Sequence, residues 1–190
     1  VRFAIVIGHR KSRQGARGVS GVHEWAWNIP LGGRLVGNLE AAGYDADLLF
    51  RPDRSGGALS ELVRRINADD YDAIISLHFN ALNGAVSGHE QLHHPASTRG
   101  AALARACSAA HVEALPGIRD RGTRGTTVNG AGVELYMLTR TRAPAVIVES
   151  HFGDHAPDHE EATANRDRLA DALGAHLADL GSRVDAGGAW

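Results

Sequence analysis

Four residues, far apart in the chain, have the types and settings needed to hold a divalent metal and activate water. His9 follows Phe3-Ala4-Ile5-Val6-Ile7-Gly8, His78 follows Ala73-Ile74-Ile75-Ser76-Leu77, and Glu149 follows Ala145-Val146-Ile147-Val148. Glu24 opens a helix-like stretch. Three β-branched runs that each end in His or Glu predict strands whose carboxyl ends meet at one edge, where open α/β sheets bind ligands. Two His and one carboxylate with an open fourth position form a catalytic zinc arrangement, whereas structural zinc sites are closed by four protein ligands. Each residue also has an ordinary reading. His9 and His78 could cap the sheet edge, and Glu24 could be an acidic residue favoured in a first helical turn by the dipole. His23 rivals Glu24 on metal-ligand preference alone. Glu149 is harder to explain structurally, because a carboxylate ending a Val-Ile-Val run must be paired, beside a metal or at the surface.

The elements that must position these residues alternate. Arg2–Ile7 reads as a strand, followed by a Gly-, Arg- and Ser-rich loop, Gly8–Gly21. Glu24–Ala42 reads as a helix with Leu31, Leu35, Val36 and Leu39 near helical spacing, Pro30 as its start or its kink, and Gly43 as its C-cap. Tyr44–Phe50 is the second strand, Ala58–Ala68 a short helix, Ala73–Leu77 the third strand and His89–His93 the fourth. Ser97 is a good N-cap for a helix over Ser97–Leu115. A polar loop is expected over Pro116–Gly132, strands over Val133–Leu138 and Ala145–Val148, and a closing helix over Asp158–Leu180. This order predicts a single α/β domain: a mostly parallel, twisted sheet of about six strands with helices on both faces. Residues 1–181 form the expected catalytic domain and residues 182–190 a tail or linker stub.

With these elements in place, the motifs resemble a known family. Ile5-Val6-Ile7-Gly8-His9, Gly21-Val22-His23-Glu24 with Asn28 four residues on, Ser76-Leu77-His78-Phe79-Asn80-Ala81 and Val148-Glu149-Ser150-His151-Phe152 are similar, in order, to the motifs of zinc-dependent N-acetylmuramoyl-L-alanine amidases of the Amidase_3 type. Gly88-His89-Glu90 resembles the family's Gly-x-Glu strand, and Arg119-Asp120-Arg121-Gly122 its Arg-x-x-Gly loop. The resemblance spans about residues 2–180. The chain departs from the usual pattern at Arg10-Lys11, where glycines normally follow the first histidine, and at His151, where the family has Gly.

The resemblance implies one Zn2+ held by His9, Glu24 and His78, with the spacing to Asn28 favouring Glu24 over His23. It implies Glu149 as the base that takes a proton from water and returns it to the leaving L-alanine nitrogen, a role worth about 10²–10⁴-fold. Zinc would supply both a more acidic water and a polarised amide carbonyl. Asn80, Arg119, Arg121 and His151 are candidate substrate contacts, Arg because it meets carboxylates in a bidentate fashion. The implied partner is peptidoglycan, and the implied place of action the bacterial cell wall.

The remaining features narrow the alternatives. With 43% hydrophobic and 22% charged residues, the 190-residue chain reads as an ordinary globular protein. A net charge of -2 gives no basic field for nucleic acid or an anionic membrane, and no apolar run approaches the ~20 residues of a bilayer span. A monomer is expected. The first strand begins too early for a secretion signal, so a phage-encoded endolysin-type domain released from the host cytoplasm, or a trimmed secreted domain, is expected. Cys107, the single cysteine, reads as a core residue of a helix. His93 and His94 should face opposite sides of a strand. His155 and His159 fall in an expected loop around Gly153-Asp154 and Pro157, in solvent or behind the site. The Gly8–Gly21 loop lacks a nucleotide-binding pattern. Two other function classes stand beside the amidase: another zinc amidohydrolase or peptidase acting on a small amide, and a wall-binding module that has lost catalysis. Aromatic residues at 5% offer little stacking surface for the latter, and no ligand or base is missing.

Overall fold

The computed structural model describes residues 1–188 and 190. Six strands, β1 (Arg2–Ile7), β2 (Asp45–Phe50), β3 (Ala73–Asn80), β4 (His89–His93), β5 (Asp120–Gly125) and β6 (Ala145–Phe152), form one sheet in the order β2-β1-β3-β6-β4-β5. The pairs β1–β2, β1–β3, β3–β6 and β4–β5 are parallel, and β4 runs antiparallel to β6. The helices are α1 (Glu24–Ala41), α2 (Ala58–Ala68), α3 (Thr98–Ala114), α4 (Tyr136–Arg140), α5 (Ala156–Ala164) and α6 (Arg166–Asp185). The predicted fold class is therefore the observed one.

Alternation along the strands separates two cores. Phe3, Ile5, Ile7, Ile75, Leu77, Val146 and Val148 face α1, α3 and α6, meeting Leu31 and Leu35, Leu103 and Cys107, and Leu173 and Leu177. Ala4, Val6, Ile74 and Ile147 face the other way, onto Leu62, Val63 and Ile66 of α2 and Met137 and Leu138 of α4. Strands covered on both faces have little polar requirement, which is why β1, β3 and β6 read as continuous apolar runs. Cys107 is fully buried in the first core, where burial pushes its thiol up to about 12. Ser97 caps α3, its Oγ accepting from Gly100 N at 2.9 Å.

Three expectations are corrected. The expected strand Val133–Leu138 is instead the lead-in to α4, where Leu138 N and Thr139 N both donate to Leu135 O at 2.8 and 3.2 Å and a helical turn buries Met137 and Leu138. The fifth strand lies inside the stretch expected to be loop. As an edge strand, Asp120–Gly125 remains largely exposed, so its sequence carries no apolar alternation. The closing helix breaks at Asn165 (φ -107°, ψ 18°), whose Nδ2 donates to Glu161 O at 3.0 Å in the local side-chain competition typical of Asn. It starts earlier than Asp158 because Pro157, in the first turn, displaces no helical hydrogen bond.

Candidate active site

The ends of β1, β3 and β6 meet in the middle of the sheet. Gly8 N donates to Leu77 O at 3.0 Å, carrying the ladder to the residue before His9. His9 has φ 64°, among the described residues the only non-glycine at positive φ. Such backbone strain persists only where surrounding structure imposes it, commonly at functional sites. A Cβ on Gly8 would fall 2.4–2.7 Å from the His78 ring, so the absence of a side chain there lets His78 lie against the strand end.

Glu24 is the first residue of α1 and only 3% exposed. Its Oε2 lies 2.9 Å from His9 Nε2 and its Oε1 2.7 Å from His78 Nδ1. Ala16 N and Phe79 N donate to the same carboxylate, each at 3.3 Å. Burial pushes the Glu24 carboxyl up, but the hydrogen bonds from His78 and His9 outweigh it and hold the group well below the usual carboxylate range. Asn28, buried one turn on, donates to Glu24 O at 3.0 Å. His9, Glu24 and His78 each offer a ligand atom within 4.8 Å of the others. His78 Nε2, on the ring's far side, lies 3.1 Å from Ser76 Oγ. His23 is directed elsewhere, with Nδ1 3.4 Å from Gly15 O.

This set fits a zinc ion. It offers two imidazoles and one carboxylate, the donors of open catalytic zinc sites. Gly15, at φ 79°, leaves space beside those donors: a Cβ there would lie 2.4 Å from Glu24 Oε2 and 2.7 Å from His9 Nε2.

Glu149 is the register partner of His78 on β6 and, across the antiparallel side, of Glu90 on β4. Its Oε2 is buried without a hydrogen-bond partner. Burial raises the Glu149 carboxyl above its ordinary range; the charges of Glu24 and Glu90 add to this and His78 opposes it. Glu90 is the residue of this edge that the sequence reading left outside the site, although its Gly88-His89-Glu90 motif was legible. Asn80 Nδ2 donates to Glu90 Oε1 at 3.0 Å, and the Arg121 and Arg124 guanidiniums lie 3.9 Å from Oε2. Arg121 also lies over the Phe152 ring at 5.3 Å. Arg119 is exposed, and its carbonyl accepts from His89 N at 2.9 Å.

His151 is not brought to this edge. The register of β3 with β6 shifts by one residue between His78 and Asn80, a bulge that turns His151 to the opposite face. Fully buried, it packs against Trp27 and Phe79, with ring centroids 4.7 and 4.9 Å away. Its Nδ1 meets Ser150 Oγ and its Nε2 meets His159 Nδ1, each at 3.0 Å. His159, expected in a loop, is 1% exposed on α5.

The family profile described as N-acetylmuramoyl-L-alanine amidase (Amidase_3) matches residues 4–179. No curated protein matches the chain. Among solved structures, the catalytic domain of an endolysin targeting Clostridia difficile is 26% identical, covering 94% of this chain and 97% of its own, with TM-score 0.80. The amidase AmiC2 of Nostoc punctiforme is 24% identical over 96% and 98% of the two chains, with TM-score 0.82. An N-acetylmuramoyl-L-alanine amidase from Clostridium difficile is 21% identical over 98% of each, with TM-score 0.77. The chain belongs to the Amidase_3 family of N-acetylmuramoyl-L-alanine amidases.

Proposed function

We propose that this amidase cleaves the bond between N-acetylmuramic acid and the L-alanine of the stem peptide with one zinc ion, held by His9, Glu24 and His78, and with Glu149 as general base. The observation that carries the reading is the convergence of His9 Nε2, the Glu24 carboxylate and His78 Nδ1, with Glu149 beside them in register. A zinc ion held there would supply a lowered pKa for a water molecule and polarisation of the scissile carbonyl. With the metal bound, His78 would carry its proton on Nε2, where Ser76 Oγ lies 3.1 Å away to accept it, and Nδ1 would present its lone pair to the ion in place of the proton it offers Glu24. Glu24 is held in place by the Ala16 and Phe79 amides. Glu149, poorly solvated and close to two other carboxylates, has the high proton affinity a base needs. It takes the proton from water and passes it to the leaving nitrogen. A dication held nearby would favour its ionised form. Asn80, Arg119 and Arg121 contact the substrate along the β4–β5 side.

The proposed partner is peptidoglycan in the bacterial cell wall, and the chain acts as a monomer. Incubation of the zinc-loaded protein with intact peptidoglycan tests the reading. New L-alanine amino termini are expected. Hydrolysis of small amides with none from the wall would instead favour a small-substrate amidohydrolase.

A further inference from the structure

A cavity of about 130 Å³ opens beside the metal ligands on the α2–α4 side of the sheet. His9, His78 and Ser76 form one wall, Leu62 and Met137 contribute apolar surface, and Arg51 lies at the exit of β2. The Arg51 Nε is buried without a hydrogen-bond partner. Arg51 is half-buried, and leaving its buried Nε–H unpaired is costly unless water, an ion or a ligand group meets it. Burial also lowers the Arg51 pKa, and the charges of Arg10 and Arg13 lower it further.

Those two arginines are held near Arg51 by a built turn. Arg10 N and Arg13 O, and Arg13 N and Arg10 O, are paired at 3.3 and 2.9 Å. Ser12, between them, donates to Asp53 Oδ1 through both its amide, at 2.9 Å, and its hydroxyl. The turn is thereby docked on the segment that follows Arg51. Among the described residues, Arg10, Arg13 and Arg51 enter no ion pair. The carboxylates within reach are already engaged: Asp53 by Ser12, and Glu134, on the cavity wall, by Thr139 and Arg140. Of the three, Arg51 lines the cavity, and Arg10 and Arg13 lie close enough for their charges to act on it. Asp53 is the carboxylate facing Arg10, so positive charge is in excess beside a partly apolar cavity and calls for an anion.

We propose that Arg51, with Arg10 and Arg13, forms a carboxylate subsite for the stem peptide, which receives the free α-carboxylate of the acidic residue following L-alanine. The inference rests on the amidase reading. It makes amidation of that carboxylate, which removes the charge and leaves the shape, a determinant of which walls are cleaved.

The test uses two synthetic muramyl tetrapeptides that differ only in a carboxylate or carboxamide at this position, hydrolysed by the zinc-loaded protein. The carboxylate form should show a KM about tenfold or more lower with a similar kcat, as expected for one charge-assisted contact. Arg51→Met should raise that KM to the carboxamide value, Arg51→Lys should restore part of the preference, and the surface variant Arg10→Ser/Arg13→Ser should lose part of it. Equal KM values in the wild type, or a preference that survives Arg51→Met, would overturn the subsite and leave the amidase reading intact. Hydrolysis of neither form would overturn the amidase reading and the subsite with it.

Discussion

His78 and Glu149 are direct register partners on the parallel strands β3 and β6, so the sheet itself sets the proposed metal ligand beside the proposed base. Their roles should separate cleanly. Glu149→Gln keeps the shape of the side chain and removes its basicity. It should bind zinc as the wild type does, yet release L-alanine termini about 10²–10⁴ times more slowly. Zinc content and wall hydrolysis measured on one preparation check both halves. Loss of metal in this variant would move Glu149 from base to ligand.

Gly15 tests the metal cradle without touching a ligand. Alanine there would place Cβ 2.4 Å from Glu24 Oε2, at a backbone φ of 79° that side chains rarely adopt. Gly15→Ala should weaken zinc binding by about 10–100-fold, the range seen when groups supporting a metal site are disturbed. Competition with a chromogenic chelator reads this directly. An unchanged affinity would show that the space beside Gly15 is not the metal's.

A hydrogen-bonded chain fixes two imidazole tautomers. Ser150 Oγ donates its proton to His78 O at 3.1 Å, so it must accept from His151 Nδ1. His151 Nε2 then accepts from His159 Nδ1, and His159 Nε2 accepts from Ser20 Oγ at 2.7 Å. Nitrogen-15 shifts should therefore show both rings neutral and protonated at Nδ1. A proton at Nε2 on either ring would contradict the chain.

Buried neutral histidines should make the fold acid-labile. Burial lowers the pKa of His89, His111 and His151, that of His111 to about 3 from an ordinary 6.5. Below pH 6.5 the unfolded chain binds protons that the folded chain refuses. For His111 the stability present above that pH is thus lost as pH falls towards 3, by up to about 1.4 kcal/mol per pH unit, and His89 and His151 act in the same direction. Urea midpoints at about pH 7.5 and about pH 5.5 measure the slope. His111→Leu should flatten it, and a wild-type midpoint that does not fall would contradict this assignment.

Much of this architecture was legible because the strands that carry His9, His78 and Glu149 are buried on both faces, and continuous apolar runs ending in polar residues are hard to mistake. Glu24 could be placed once its helix was recognised. Other parts follow from forces that periodicity does not record. β5 pairs on one edge only and needs no apolar alternation, whereas Met137 and Leu138 bury equally well from a helical turn as from a strand. Gly15 looks like any glycine of its loop until its φ and its neighbours are known. His151 has the strand parity of Glu149, and a one-residue bulge, invisible in sequence, sends it to the other core.

The central claim is that His9, Glu24 and His78 hold one zinc ion on which wall hydrolysis depends. Metal-stripped protein titrated with Zn2+, while L-alanine amino termini released from intact peptidoglycan are followed, tests it most directly. Activity should rise from background and saturate at one equivalent. Full activity in the stripped protein, or none at any zinc level, would contradict the account.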